Sequence, residues 1–190
     1  PPLPEIYKEN EFNIKYHVLS LKNKSTITDK NGEIIGFSKS KMFKFKDDIR
    51  IYKTEEMREE VFRIKQRNIM DFNANFEIID SLYDSPIGYL KKKPLESFSK
   101  NKYVFLGPAG GKIGEIKISG SLGDAVSQSF KAKWSYEILY DNYIIGSLKE
   151  KMTLTKYDFK INIFSDQDFN LDRRFPLAAA MCIAAGKGNI

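Results

Sequence analysis

"FPLAAAMCIAAG", residues 175–186, decides how the rest of the chain is read. The run carries no charge and no polar face. As a helix, its roughly twelve residues span about 18 Å, whereas the hydrocarbon core of a bilayer is about 30 Å thick. It is therefore too short to cross a membrane, and no transmembrane span is expected. An interfacial anchor needs a polar face, which this run lacks. A helix that is apolar all round is buried all round. The alanines at 178–180, 184 and 185 keep it thin. Leu177, Met181 and Ile183 supply bulk, each contributing about 1.5–3 kcal/mol when fully buried. Pro176 fits only in the first turn, where its missing N–H costs nothing, and Gly186 and Lys187 suit the C-terminal end. The rival reading is a C-terminal interfacial or membrane-inserted segment.

A helix of this kind needs a sheet curled around it, and the preceding sequence is written as one. "STITDKNGEIIGFSKSK" (25–41), "FEIIDSLYDSPIGYLKKK" (76–93), "KYVFLGPAGGKIGEIKIS" (102–119) and "YEILYDNYIIGSLKEK" (136–151) share one layout. Each has an apolar strand, a turn, then Ile-Gly with a lysine three residues after the glycine. The glycines are Gly36, Gly88, Gly114 and Gly146; the lysines are Lys39, Lys91, Lys117 and Lys149. Asn31-Gly32 favours a type I′ hairpin turn, and Asp84-Ser85-Pro86 and residues 107–111 are looser turns. A glycine inside a strand marks a bulge or a bend. Four at equivalent places favour a strongly curved sheet, closing into a barrel, over a flat sheet whose glycines face a bulky neighbour.

"KMFKFKDDIRIYK" and "TLTKYDFKINIF" alternate as further strands, the second through Tyr157, Phe159, Ile161 and Ile163. "SQSFKAKWSYEIL" leads into the fourth hairpin with Trp134 as a core anchor. "TEEMREEVFRIKQ", 54–66, has a different period. Thr54 can cap a helix, Glu55 and Glu56 suit its N-terminal dipole, and Met57, Val61 and Ile64 share a face. A short amphipathic helix is predicted there. "PPLPEIYKEN" opens without a secretory h-region. Residues 1–14 read as a loose proline-rich arm, and 15–190 as one barrel domain.

The single cysteine, Cys182, excludes an internal disulfide and suits a reducing compartment, so a cytoplasmic or peripheral-membrane location is expected. The single histidine, His17, stands in a strand with nothing nearby to make it catalytic. Metalloprotease, nucleophile-elbow and dinucleotide-binding patterns are absent. "GPAGGKIG" fails as a P-loop, because Leu106 stands where the first glycine belongs and Ile113 replaces Ser/Thr. No enzyme activity is expected. The net charge of +6 admits an anionic partner, although a lysine-rich composition explains it equally well. Nucleic acid is the weaker candidate, since no RNP-type or helix-turn-helix pattern occurs.

Arg173 and Arg174 precede the apolar run and oppose the dipole of a helix starting there. Either the helix begins after them or Asp166, Asp168 and Asp172 answer them in an ion-pair cluster at the barrel mouth. Asp166, Asp168, Asn170 and Asp172 also alternate like the first half of an EF-hand loop. Leu171 and Leu177 occupy the required glycine and glutamate positions, so a solvated turn is favoured over calcium. No cofactor is expected.

"FRIKQRNIMDFNANFEIIDSLYDSPIGYLKKK", with "WSYEILYDNYIIGSLKEK" and the late apolar run, resembles the LURP-one-related and phospholipid-scramblase-like proteins of the Tubby C-terminal-like superfamily. "DQDFNLDRRFP" is similar to the scramblase segment before its terminal helix. The resemblance runs from about Ile27 to the C-terminus. It implies a closed antiparallel β-barrel threaded by a hydrophobic C-terminal helix, and a family in which Tubby domains bind phosphoinositides through surface basic residues. Lys39 and Lys41, Lys91 and Lys93, and Lys149 and Lys151 each share a strand face. With Arg173 and Arg174 they are the candidate contacts to anionic lipid. If their strands are neighbours they form a basic stripe; otherwise they are an ordinary solvated face. A protein-interaction domain without lipid binding is the alternative.

Overall fold

The computed structural model describes residues 4–17, 24–39, 48–66, 76–94, 101–119, 134–152 and 156–187. Among these, twelve strands form a closed barrel and one helix fills it. The strands are β1 (Glu11–His17), β2 (Lys24–Thr28), β3 (Ile34–Lys39), β4 (Ile49–Tyr52), β5 (Glu60–Gln66) and β6 (Phe76–Asp80). They continue as β7 (Ser85–Pro94), β8 (Asn101–Leu106), β9 (Lys112–Ile118), β10 (Trp134–Tyr140), β11 (Tyr143–Met152) and β12 (Lys156–Ile163), followed by α1 (Arg174–Lys187). Every neighbouring pair is antiparallel, and each strand pairs with the next in sequence. Seven pairs from Glu11↔Asn162 to His17↔Lys156 close β1 onto β12, so no edge is left open for another chain to pair with.

The repeated Ile-Gly step is the curvature device. In each of the four hairpins the register shifts at the residue before the glycine. Ile27 pairs with Gly36 and Thr28 with Ile34, leaving Ile35 as the extra residue. Ile87, Ile113 and Ile145 are bulged in the same way before Gly88, Gly114 and Gly146. A bulge bends its strand and raises the local twist, and four of them curl the sheet onto itself. Gly88 also makes room for the helix. Its φ is +155°, and a Cβ there would strike the Leu106 carbonyl oxygen and come within 2.7 Å of Phe175 Cζ.

The helix is the core. Phe175, Leu177, Ala178 to Ala180, Met181, Cys182, Ile183 and Ala184 are all buried, in one cluster with Phe12, Phe62, Phe105 and Phe159 from the wall. β12 shows how the wall contributes. Tyr157, Phe159, Ile161 and Ile163 point in, while Lys156 and Lys160 point out. At fourteen residues the helix is about 21 Å long. No helix among the described residues is long and apolar enough to cross a membrane.

Three expectations are corrected. The helix predicted at 54–66 is absent: residues 53–59 form a turn and Glu60–Gln66 is β5. Phe62 and Ile64 face the core at a period of two, with Val61 bulged opposite the β4 pairing Ile51↔Phe62 and Tyr52↔Glu60. A place in the barrel ladder outweighs a 3.6-residue spacing this short. Residues 1–14 are not loose throughout. Ile6, Phe12 and Ile14 are buried, and β1 supplies the closing strand. The turn at Asn31-Gly32 is not type I′. Gly32 has positive φ, and Asp29 N–H donates to Glu33 O at 2.9 Å across a three-residue loop. Among the described residues, the two-residue turn with both φ values positive is Asp141-Asn142, which contains no glycine. The Trp134 side chain, and Met42, Phe43 and Phe45, lie outside what the structure describes.

Candidate functional site

The barrel mouth, where Arg173 and Arg174 stand, is an internally satisfied ion-pair network. All five guanidinium N–H groups of Arg173 are used. Nη1 donates to Asp166 Oδ2 at 2.7 Å and to Leu171 O at 2.6 Å. Nη2 donates to Asn10 Oδ1 at 2.7 Å and Asp166 O at 2.5 Å, and Nε to Asn10 Oδ1 at 3.0 Å. The Arg173 side chain is 0% exposed, and its guanidinium lies over the Phe169 ring at 4.4 Å. Arg174 forks onto Asp172 (Nη2 to Oδ2, 2.6 Å; Nε to Oδ1, 2.9 Å) and donates Nη1 to Asp80 Oδ2 at 2.5 Å. These carboxylates offset the repulsion between two cations and the positive end of a helix. Asp172 also accepts the Arg174 N–H at 2.9 Å, occupying one of the free donors of the first turn.

Each group is tuned by its surroundings. Burial pushes the Asp166 carboxyl up. The Arg173 guanidinium and the Leu171 and Asn170 donors outweigh it and hold the carboxyl below its ordinary 3.8. Burial pushes the Tyr7 hydroxyl, under the Arg174 guanidinium, up to about 12. Arg174 is held more firmly protonated than usual, since Asp172 and Asp80 outweigh its burial.

The two arginines are therefore not surface groups, which removes them as lipid contacts. Asp166 and Asp172 spend their oxygens on protein donors, and Asp168 is exposed. Among the described residues, no group of three acidic, histidine or cysteine side chains is placed to hold a metal ion. The three aspartates are not brought together as a calcium site.

The lysines are distributed by topology. β4, β5 and β6 separate β3 from β7, and β8, β9 and β10 separate β7 from β11. The strands that carry Lys39, Lys91 and Lys93, and Lys149 and Lys151 stand a third of the circumference apart, so these lysines do not make one stripe. Lys41 lies outside the described residues, as does the Lys39 side chain. Near Lys91 and Lys93 the wall is balanced by acid. Lys93 stands opposite Lys102, whose Nζ lies 2.7 Å from Glu115, and Lys112 reaches the same carboxylate at 2.9 Å.

Lys149 and Lys151 have a different setting. They line a cleft of about 600 Å³ on the outer wall where β11, β12 and β1 meet, beneath the turn joining β2 to β3. Lys15, Lys30 and Lys160 line it as well, with Asp158 and the polar side chains of Asn13, Thr28, Asn31, Ser147 and Asn162. Register explains the convergence. Asn13, Lys160 and Lys149 form one cross-strand row, and Lys15, Asp158 and Lys151 the next. Lys149 and Lys160 are directly opposed in the register, and Lys160 Nζ lies 3.5 Å from Glu11. The overhanging turn is stiff. Asp29 Oδ1 accepts from Asn31 N (2.9 Å) and Glu33 N (2.8 Å), and Asn13 Nδ2 donates to Asp29 O at 3.2 Å. Lys30 is thereby carried over the cleft on a braced loop.

A family model described as LURP-one-related matches residues 10–185. The chain belongs to the LURP-one-related family. A protein from Arabidopsis thaliana of known X-ray structure has a similar fold, with a TM-score of 0.51 at 14% identity, covering 98% of this chain and 96% of that one. At that identity the likeness concerns the fold. No curated protein matches the sequence. The family match spans the strands that build the cleft, from β1 to β12, and nearly all of α1.

Proposed function

We propose that this LURP-one-related barrel is a non-enzymatic binding domain that seats an anionic, phosphate-bearing lipid headgroup in the cleft between β1, β12 and β11. The observation that carries the reading is the gathering of Lys15, Lys30, Lys149, Lys151 and Lys160 around one concavity, with Lys149 and Lys160 directly opposed. A phosphate in a cleft lined by several lysines accepts charge-assisted hydrogen bonds, which are the stronger kind. Near an anionic leaflet each lysine contributes about 1 kcal/mol. Asn13, Asn31, Ser147 and Asn162 add neutral donors suited to a polar headgroup.

Co-sedimentation with vesicles across a salt series tests the reading. Binding is expected to vesicles containing anionic lipid, to weaken as salt screens the lysines, and to be absent with phosphatidylcholine alone. Equal binding to neutral and anionic vesicles, or binding to neither, would overturn it.

A further inference from the structure

Among the described residues, the large apolar side chains left exposed are Ile34, Leu82, Tyr83, Tyr143, Ile144, Phe164 and Phe169. All seven lie at the end of the barrel where the helix enters. Leu82 and Tyr83 stand in the β6–β7 turn, Ile34 opens β3, Tyr143 and Ile144 open β11, and Phe164 and Phe169 lie between β12 and α1. Four of them flank the basic cleft. Phe164, 51% exposed, follows directly on β12, two residues beyond Asn162, and Asn162 both lines the cleft and pairs with Ser147, another lining residue. Phe164 N–H donates to Ile145 O at 2.8 Å, which places it beside the start of β11, where Tyr143 is 75% and Ile144 44% exposed. On the other flank, Ile34 follows the turn that carries Lys30, Asn31 and Gly32 over the cleft.

We propose that Tyr143, Ile144 and Phe164 seat in the interfacial layer of the bilayer whose headgroup the cleft holds; this rests on the cleft reading above. Ile144 and Phe164 continue the outer face of the cleft along the same two strands, and Tyr143 stands beside them at the hairpin tip facing the mouth, so an approach at that rim engages the cleft and all three. Tyr143 presents an apolar ring and a hydroxyl, a combination that suits the boundary between headgroups and acyl chains. The tight Asp141-Asn142 turn, with φ of 46° and 69°, presents these side chains on a stiff hairpin, so little loop ordering is lost on docking. Charge supports the same partner. Five lysines line the cleft against Asp158 and Glu150, and Glu33, Asp141 and Asp168 are the exposed carboxylates on the flanking turns and the segment after β12. Leu82 and Tyr83 sit on the β6–β7 turn, with β8, β9 and β10 between β7 and β11, outside this contact.

The test uses the full chain, with vesicles of phosphatidylcholine carrying phosphatidylinositol bisphosphate, and soluble inositol trisphosphate as the headgroup without a membrane. A Phe164→Trp variant is expected to be quenched by brominated acyl chains on vesicle binding, beyond the quenching of wild type, whose one tryptophan is Trp134. Tyr143→Ser with Phe164→Ser is expected to weaken vesicle binding roughly tenfold and to leave the affinity for inositol trisphosphate unchanged. If vesicles bind but the indole introduced by Phe164→Trp is not quenched and the double variant binds like wild type, insertion is overturned while the cleft reading stands. Binding of inositol trisphosphate without vesicle binding overturns insertion as well. If neither ligand binds, the cleft reading falls and takes this proposal with it.

Discussion

Asp166→Asn isolates the energetics of the barrel mouth. The substitution keeps the side chain's shape and one acceptor oxygen, but it removes the charge facing a guanidinium whose side chain is 0% exposed. Breaking one side of a buried ion pair costs about 3–5 kcal/mol, because the remaining charge stays buried without its counterion. For a chain of this size, 1 kcal/mol corresponds to about 2–4 °C in Tm, so the expected fall is about 6–20 °C. Domains of this kind have only about 5–15 kcal/mol in total, so the loss is a large share. Arg173→Met in the Asp166→Asn background removes the orphaned charge. The double variant is therefore expected to be no less stable than Asp166→Asn alone, giving a strongly non-additive cycle. Thermal unfolding followed by circular dichroism measures both. A fall of under about 3 °C for Asp166→Asn, or additive effects in the double variant, would show that Arg173 does not depend on Asp166 for its burial.

The same pair sets an acid limit. The Asp166 carboxyl is held below its ordinary 3.8 in the fold, so its contribution is fully present above that value and is lost as pH falls through the lower folded value. Thermal melts at descending pH should show wild type losing stability in that window and Asp166→Asn losing less. Gly88→Ala should cost about 1–3 kcal/mol or more, since its Cβ meets the Leu106 carbonyl and the Phe175 ring; an unchanged denaturation midpoint would contradict the close packing of helix on bulge. Ala180→Asp puts an unpaired charge on the fully buried face of α1 and should unfold the domain, seen as loss of the cooperative melt; a wild-type melting curve would show that the helix is not core.

Local pattern and burial made much of the fold legible. The four Ile-Gly hairpins mark the bulges, and an apolar run with no polar face, too short to span a bilayer, favours the barrel interior over the membrane-inserted alternative. Residues 54–66 are the exception, since Met57, Val61 and Ile64 mimic a helical face. The neighbouring Phe62 and Ile64 carry the two-residue period that the barrel uses, and Val61 is spaced as it is by a bulge. The sequence leaves the arginines as either surface contacts or a local cluster, and burial decides for the cluster. Lys149 and Lys151 were visible as a pair on one strand face. Lys15 and Lys160 are ordinary outward positions of β1 and β12, and they become a site only when barrel closure sets Asn13 against Lys160 and Lys15 against Asp158. That pairing joins the two ends of the barrel sequence, and no local spacing encodes it. Lys30 depends on the same closure, because the turn that bears it overhangs the cleft only once β1 lies beside both β2 and β12.

The most direct measurement compares two charge reversals of equal size in the vesicle assay. One variant carries Lys149→Glu and Lys160→Glu, inside the cleft; the other carries Lys91→Glu and Lys93→Glu, on β7, a third of the barrel away. Both lower the net charge from +6 to +2. A local headgroup site predicts that the first pair abolishes binding to anionic vesicles while the second leaves most of it. Equal loss in both variants would show that binding follows overall charge alone, and retained binding in the cleft variant would show that the cleft is not the site.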